Sequence, residues 1–417
     1  MTTTVKEDAP DPRGLMTVYV AGFFSMGMLD LFAFLVPLYA IALGFSATEI
    51  GILVGSRGLL SMVFAIHAGA CMDRLGARRV TLVLIAGAIA LAPLYALMPH
   101  FWTLLILQIV SGCTVSLNYT GTQTLIAQLG RGEAEYIGRY SFATRMGTAS
   151  APIVVGLVWD FAGIWPSFLF VMAWGVALFA AVWAIPDPGV VRAEADAAGD
   201  DTSAPPFRIA DALPRWSDYA QSFAMMAIPA VAITIAVIFV RNATSGIQGS
   251  VYVVYVEGIG MTGTMIGVLF AAIEAMSGIG SLFGGRAMRA FEPQRMMVVS
   301  TAIAIALICI TPMLGGVFAL LLVAQGLRGV MQGVMQPVMF SVQSKAVGAH
   351  QQGAMVGLRQ SANRIAAMAV PPLMGWVADR WGVAESFYIL GVGLIAICGL
   401  IYLAVLRLPQ PGGRRTG

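Results

Sequence analysis

Apolar runs of membrane-spanning length recur along the whole chain, each bounded by glycine, proline or charge, and no soluble core can absorb them all. They fall at residues 15–41, 48–70, 80–98, 101–125, 138–160 and 164–186, then at 228–256, 262–284, 296–314, 317–340, 352–376 and 382–406. A helix rises about 1.5 Å per residue, so about 20 apolar residues cross the hydrocarbon of a bilayer. Lipid offers the backbone no hydrogen bonds, so such runs must pair their amides internally, as helices. The composition agrees: the 417 residues are 58% hydrophobic and 11% charged, where a soluble domain is about 25% charged. The expected fold is an all-α polytopic membrane protein with twelve transmembrane helices, and a soluble enzyme is excluded. The apolar run from 219 to 258 leaves room for a short interfacial helix ahead of the seventh crossing.

Charge sets the orientation. Basic residues outside the crossings, among them Arg74, Arg78, Arg79, Arg286, Arg289 and Arg295, fall on the side that holds the N-terminus, whereas the other side holds Arg380. This is the bias by which positive loops stay in the cytoplasm. Both termini are therefore expected to be cytoplasmic, in a bacterial cytoplasmic membrane, with lipid headgroups as the partners of those basic residues. A net charge of +3 gives no reason to expect nucleic acid. The N-terminus has no signal-peptide pattern, since Lys6 and Arg13 are mixed with Glu7, Asp8 and Asp11.

A long polar interval divides the chain. The expected organisation is a tail at 1–14, a six-helix bundle at 15–186, a cytoplasmic linker at 187–218, a second bundle at 219–406 and a tail at 407–417. The two bundles repeat one sequence: Arg145, Pro152, Gly156, Asp160, Gly163 and Phe168 recur 219 positions on as Arg364, Pro371, Gly375, Asp379, Gly382 and Phe387. Gln108 and Gly112 recur as Gln325 and Gly329, and Gly44, Thr48, Ile50 and Gly51 as Gly260, Thr264, Ile266 and Gly267. A duplicated six-helix unit implies pseudo-symmetric bundles that expose a central site to one side at a time. One chain holds both, so a monomer is expected to function.

Between the second and third crossings, residues 69–79 read GACMDRLGARR. This resembles the GxxxDRxGxRR signature of the major facilitator superfamily. The resemblance implies gating roles for Asp73, Arg74, Arg78 and Arg79, which in that family latch helix ends of the two bundles. The corresponding loop of the second half keeps Arg289 but has no aspartate before it. The fifth crossing, with Gly138, Gly147, Ala151, Pro152 and Gly156, is similar to the glycine-and-proline signature of the superfamily's antiporters, which tilts the reading toward export and gives Pro152 a bending role. The same small residues also serve a tight helix interface. In the fourth crossing that branch expects an arginine where this chain has Gln108.

Charges inside the crossings are the candidate site, because each costs free energy unless it lines a cavity, pairs or snorkels. Arg57, Arg139, Arg145, Arg241, Arg328, Arg359 and Arg364 stand there against Asp30 and Glu274, with Arg139 and Arg359 also placed to snorkel to headgroups. Two carboxylates cannot neutralise that many guanidiniums, so an anion is the simplest further partner, its carboxylate or phosphate matching the planar arginine fork. Structural ties to Asp30, Glu274 or helix-end carbonyls are the alternative. Asn118 and Gln248 lie on polar faces of the fourth and seventh crossings and join the substrate-binding set. Asp30 and then Glu274 are the candidates for proton coupling, since burial and a nearby arginine move a carboxyl pKa in opposite directions.

No nucleotide loop, metal spacing or nucleophile elbow is present, so neither enzymatic activity nor a cofactor is expected. The favoured function is secondary active transport: proton-coupled export of an organic anion or amphipathic acidic compound. An uptake symporter or anion exchanger for a carboxylate nutrient, and a non-transporting receptor or enzyme on the same scaffold, are the alternatives.

Overall fold

The structure, a computed structural model, describes residues 12–130, 133–186, 225–346 and 352–407, and among these every regular element is helical. The first half holds α1 (Pro12–Ala42), α2 (Ala47–Leu75), α3 (Ala77–Leu97), α4 (Phe101–Leu129), α5 (Ala134–Ala162) and α6 (Ile164–Trp183). The second holds α7 (Pro229–Gly249), α8 (Val251–Gly258), α9 (Gly263–Ala290), α10 (Pro293–Cys309), α11 (Phe318–Ala346), α12 (Gln352–Trp381) and α13 (Val383–Arg407). The seventh crossing differs from the unbroken run expected for it. It is α7 and α8 in series, broken at Ser250, whose φ of −126° and ψ of −98° are not helical. With that pair counted as one, the described residues hold six long helices in each half.

Nine of the described helices are long and apolar enough to cross a membrane. The three that fall short do so for identifiable reasons: α10 has 17 residues, while α5 and its repeat counterpart α12 carry the arginines and other polar groups of the candidate site. Polar helices of this kind are tolerated where they face protein or a cavity. The expected interfacial helix has only Met225–Ala227, a single 3-10 turn, inside the described residues. Residues 187–218 lie outside them.

The repeat has a structural basis. Gly44 and Gly260 end equivalent helices with φ of 76° and 87°, and Gly163 and Gly382 do so with 83° and 107°, a left-handed backbone that a side chain disfavours. Phe168 and Phe387 are fully buried.

Two compact units emerge from chain contacts: residues 1–35 with Leu59–Leu213, and Val36–Gly58 with Pro214–Gly417. The outer part of the α1–α2 hairpin thus packs within the second unit. In the first unit α3 lies against α4 and α6, and α5 against α6. In the second, α9 lies along α11, α11 along α10, and α7 along α12. The α9–α11 seam is backbone against backbone: a Cβ on Gly333 would sit 2.0 Å from the Ser277 carbonyl oxygen, and one on Gly329 2.4 Å from that of Ile273. Without a hydrophobic drive between helices in lipid, such close approach supplies the dispersion contacts that hold them.

Candidate functional site

In the first unit the polar residues of α1, α4 and α5 converge. Ser25 of α1 donates to the Oδ1 of Asn118 on α4 at 2.7 Å, and both are fully buried. One residue along α4, the Tyr119 phenol hydrogen-bonds Gln123 and lies within electrostatic range of Asp30 and Arg145. The helix periodicity brings the Tyr119 and Gln123 side chains together, since they are four residues, about one turn, apart. Deeper in α4, the Tyr95 hydroxyl donates to Gln108 Oε1 at 2.7 Å and meets Ser111 Oγ at 2.6 Å. Thr122 and Tyr140 share a 2.8 Å bond that joins α4 to α5. Gln108, at the position where the antiporter signature has arginine, is therefore a buried amide in a neutral network.

Pro152 is buried in α5. On the same helix, a Cβ at Gly147 would lie 2.0 Å from the Phe23 carbonyl oxygen, and Ala151 is fully buried. Gly147 and Ala151 thus pack tightly on α1, the structural role left open by the sequence, whereas a Cβ at Gly138 would meet open space.

In the second unit the cationic residues gather. Arg241 of α7 lies within electrostatic range of Glu274 on α9 and Arg359 on α12, and Arg328 of α11 within range of Glu274 and Arg241. Arg328 is fully buried. Its Nη1 donates to Gln325 Oε1 and its Nη2 to the Thr244 carbonyl oxygen, both at 3.0 Å. Gln332, one turn further along α11, reaches Thr244 Oγ1 at 3.4 Å. Arg328 and Gln332 together grip α7 ahead of its break at Ser250. Asn242 of α7 donates to Asn363 Oδ1 of α12. Gln248, Arg57 and Arg364 are half-buried, the last one residue past Asn363.

The expected set is thus split between the units. Asp30, Asn118 and Arg145 belong to the first, and Arg57, Arg241, Gln248, Glu274, Arg328, Arg359 and Arg364 to the second. Two of the expected substrate ligands, Asn118 and Arg328, have no exposed surface in this conformation; what they hold is protein. Asn363, Gln325 and Gln332 were missed as contributors. Asn363 had a signal in the sequence, one helical turn from Arg359 and adjacent to Arg364.

Of the expected gating residues, Arg78 has a definite partner inside its own unit. Its Nε donates to the Val182 carbonyl at 3.4 Å and its Nη2 to that of Trp183, with the guanidinium 5.4 Å from the Trp183 ring centroid. It closes the carbonyl end of α6, where a cation also meets the negative end of the helix dipole. Arg79 is exposed, and Arg289 is exposed in the last turn of α9. The side chains of Asp73 and Arg74 lie outside the described residues.

Comparison with known proteins places this architecture. The family model described as Major Facilitator Superfamily matches residues 18–246 and 233–417. The chain belongs to that superfamily. It is a multi-pass membrane transporter, not an enzyme, and its twelve helices form the superfamily's two six-helix bundles. A curated relative, the class D tetracycline resistance protein of Salmonella ordonez, is 24% identical over 384 residues, 88% of this chain and 89% of that protein. Solved structures share the fold at lower identity. The nucleoside transporter NupG is 13% identical with a TM-score of 0.73, covering 95% of this chain and all of that one. A bacterial homologue of the human lysosomal transporter Spinster, inward-facing and unoccupied, is 14% identical with a TM-score of 0.71, covering 97% and 100%.

Proposed function

We propose that this transporter exports an organic anion, or an amphipathic compound with an acidic group, in exchange for protons. One observation carries the reading. Within the second unit the helix interiors hold Arg57, Arg241, Arg328, Arg359 and Arg364 against Glu274, an excess of positive charge whatever the pairing among them. Charge in the hydrocarbon region is costly, and an anion that enters this unit lowers that cost as it binds. Arg241 and Arg359, on different helices, are the ligands we assign to it, with Gln248 and Arg364 beside them. Arg328 and Asn118 position α7 and α1 rather than touch the solute. Asp30, which shares a neighbourhood with Tyr119 and Arg145, is the proton carrier, because an arginine that turns from the carboxylate to another partner leaves a buried acid ready to protonate. Glu274 is the second carrier.

Export is favoured by the resistance function in the name of the Salmonella relative and by the resemblance of the fifth crossing to the antiporter signature. The basic loops support a cytoplasmic placement of both termini and of the linker at 187–218. Gating by Asp73, Arg74, Arg79, Arg289 and the Pro152 bend remains part of the proposal.

The test is flux in sealed liposomes that contain a pH-sensitive dye, challenged with organic anions and with cationic drugs, with and without a proton gradient. Proton movement triggered by an anion and lost in Arg241→Ala is the expected result. Movement triggered by cations alone overturns the arginine site; anion exchange indifferent to the gradient overturns proton coupling.

A further inference from the structure

Gln108 and Ser111 of α4 match Gln325 and Arg328 of α11 at one repeat offset, so the second unit carries a guanidinium where the first carries a hydroxyl. In the first unit a phenol closes the cluster: the Tyr95 hydroxyl donates to Gln108 Oε1 at 2.7 Å and meets Ser111 Oγ at 2.6 Å. In the second, Arg328 Nη1 has taken the glutamine oxygen, Gln325 Oε1, at 3.0 Å. A phenol is present there too. Tyr252 of α8 is fully buried, beside the Gln325 side chain and within electrostatic range of Arg328, and its hydroxyl finds no acceptor among the described residues.

The guanidinium is no better served. Its Nη2 donates to the Thr244 carbonyl oxygen, but its Nε–H, equally buried, has no acceptor among the described residues. The two acceptors it does have, a side-chain amide and a backbone carbonyl, are neutral. Glu274 lies within electrostatic range of Arg328 and of Arg241 alike, so one carboxylate faces two guanidiniums. The Cys309 thiol of α10, buried and also within range of Arg328, is ordinarily neutral and brings no charge. An unanswered buried donor is costly, and an uncompensated buried charge more so.

Two buried donors and one positive charge call for the same partner, an acceptor that is itself negative. We infer that Arg328 and Tyr252 hold a resident monatomic anion, a halide, between α11 and α8. Size argues for a single atom: Arg328, Tyr252 and Thr244 have no exposed surface and Gln325 has 2%, which leaves no opening for an organic solute. Shape argues the same way, because a spherical ion accepts one N–H and one O–H from different helices without a preferred direction, whereas a carboxylate is matched to the paired donors of one fork. The ion has a task in the broken seventh crossing. Arg328 holds α7 through Thr244, ahead of the break at Ser250, and Tyr252 lies just beyond that break. An ion shared by Arg328 and Tyr252 ties both pieces of the crossing to one guanidinium on α11. It is distinct from the exported anion, assigned above to Arg241 and Arg359, and it stays whatever solute is carried.

Thermal unfolding of the full-length protein in lipid nanodiscs, in sodium chloride against sodium gluconate at one ionic strength and pH, tests the ion. Wild type is expected to have the higher Tm in chloride, rising with chloride concentration as for any ligand of the native state. Arg328→Ser, which restores the residue of the first unit, should have the same Tm in both salts. Tyr252→Phe, which keeps the guanidinium, should need about tenfold more chloride for the same rise, the loss of one hydrogen bond to a charged group. Arg241→Ala should respond as wild type does. Equal Tm in the two salts for wild type overturns the ion, since water then answers the donors. An undiminished chloride effect in Tyr252→Phe overturns it too, because the salt then acts elsewhere, and this variant decides the matter if Arg328→Ser fails to fold. If Arg241→Ala loses the effect while Tyr252→Phe keeps it, chloride occupies the proposed export site and the resident ion is again overturned.

Discussion

At one repeat position the two units have taken different courses. In the first, α4 carries Gln108 and, one turn later, Ser111, and both are closed off by the Tyr95 hydroxyl. In the second, α11 carries Gln325 and, at the matching turn, Arg328, whose guanidinium bonds the Gln325 side chain and the backbone of α7. The scaffold is shared, so the difference lies in what a buried polar cluster is for. A neutral network brings no net charge into the interior and fixes helix positions; a buried arginine held by neutral acceptors keeps its positive charge there. In the first unit one acid, Asp30, and one base, Arg145, both lie within electrostatic range of Tyr119. Arginine exceeds acid in the second. In the proposed function this contrast assigns proton exchange to the first unit and the anion to the second.

Breaking that division should be easiest at its two charged centres. Asp30→Asn is expected to abolish proton-driven flux while anion binding persists, and wild-type driven flux in this variant would dissolve the division outright. Arg241→Ala is expected to weaken anion binding about 10- to 100-fold, the loss of one charge-assisted contact, whereas Arg145→Ala in the first unit should lower transport rate more than affinity; equal effects on KM would place the anion across both units. The smallest effect sharpens the neutral side. Tyr95→Phe leaves Gln108 Oε1 without its donor and should cost about 1–3 kcal/mol of stability, seen as a lower Tm, with the transport KM unchanged.

Helix positions and the duplication were legible in the sequence because hydropathy over about 20 residues is a local property that lipid reads directly. The glycines at 44, 163, 260 and 382 were legible as repeats, and their positive φ explains why they recur. The break at Ser250 was not, since a departure from helix inside a crossing takes a local backbone choice that hydropathy does not record.

Side-chain partners were less legible still. Arg78 belongs to a signature read as a latch, yet here it closes the end of α6, a choice made by the packing of α3 on α6. Arg328 looked like a ligand because an arginine in an apolar helix is conspicuous; only the enclosure by Gln325 and Thr244 shows it occupied with protein. Asp379 looked like one residue of a repeat, and nothing local to it pointed to the Ala47 and Thr48 amides that it accepts from, more than 300 positions away. The sequence by itself determined that this chain is a duplicated set of membrane helices with too many arginines inside, because burial in lipid acts on each segment separately. Tertiary structure decided which arginines face protein, and which unit the α1–α2 hairpin joins, because those depend on contacts between segments that no single segment encodes.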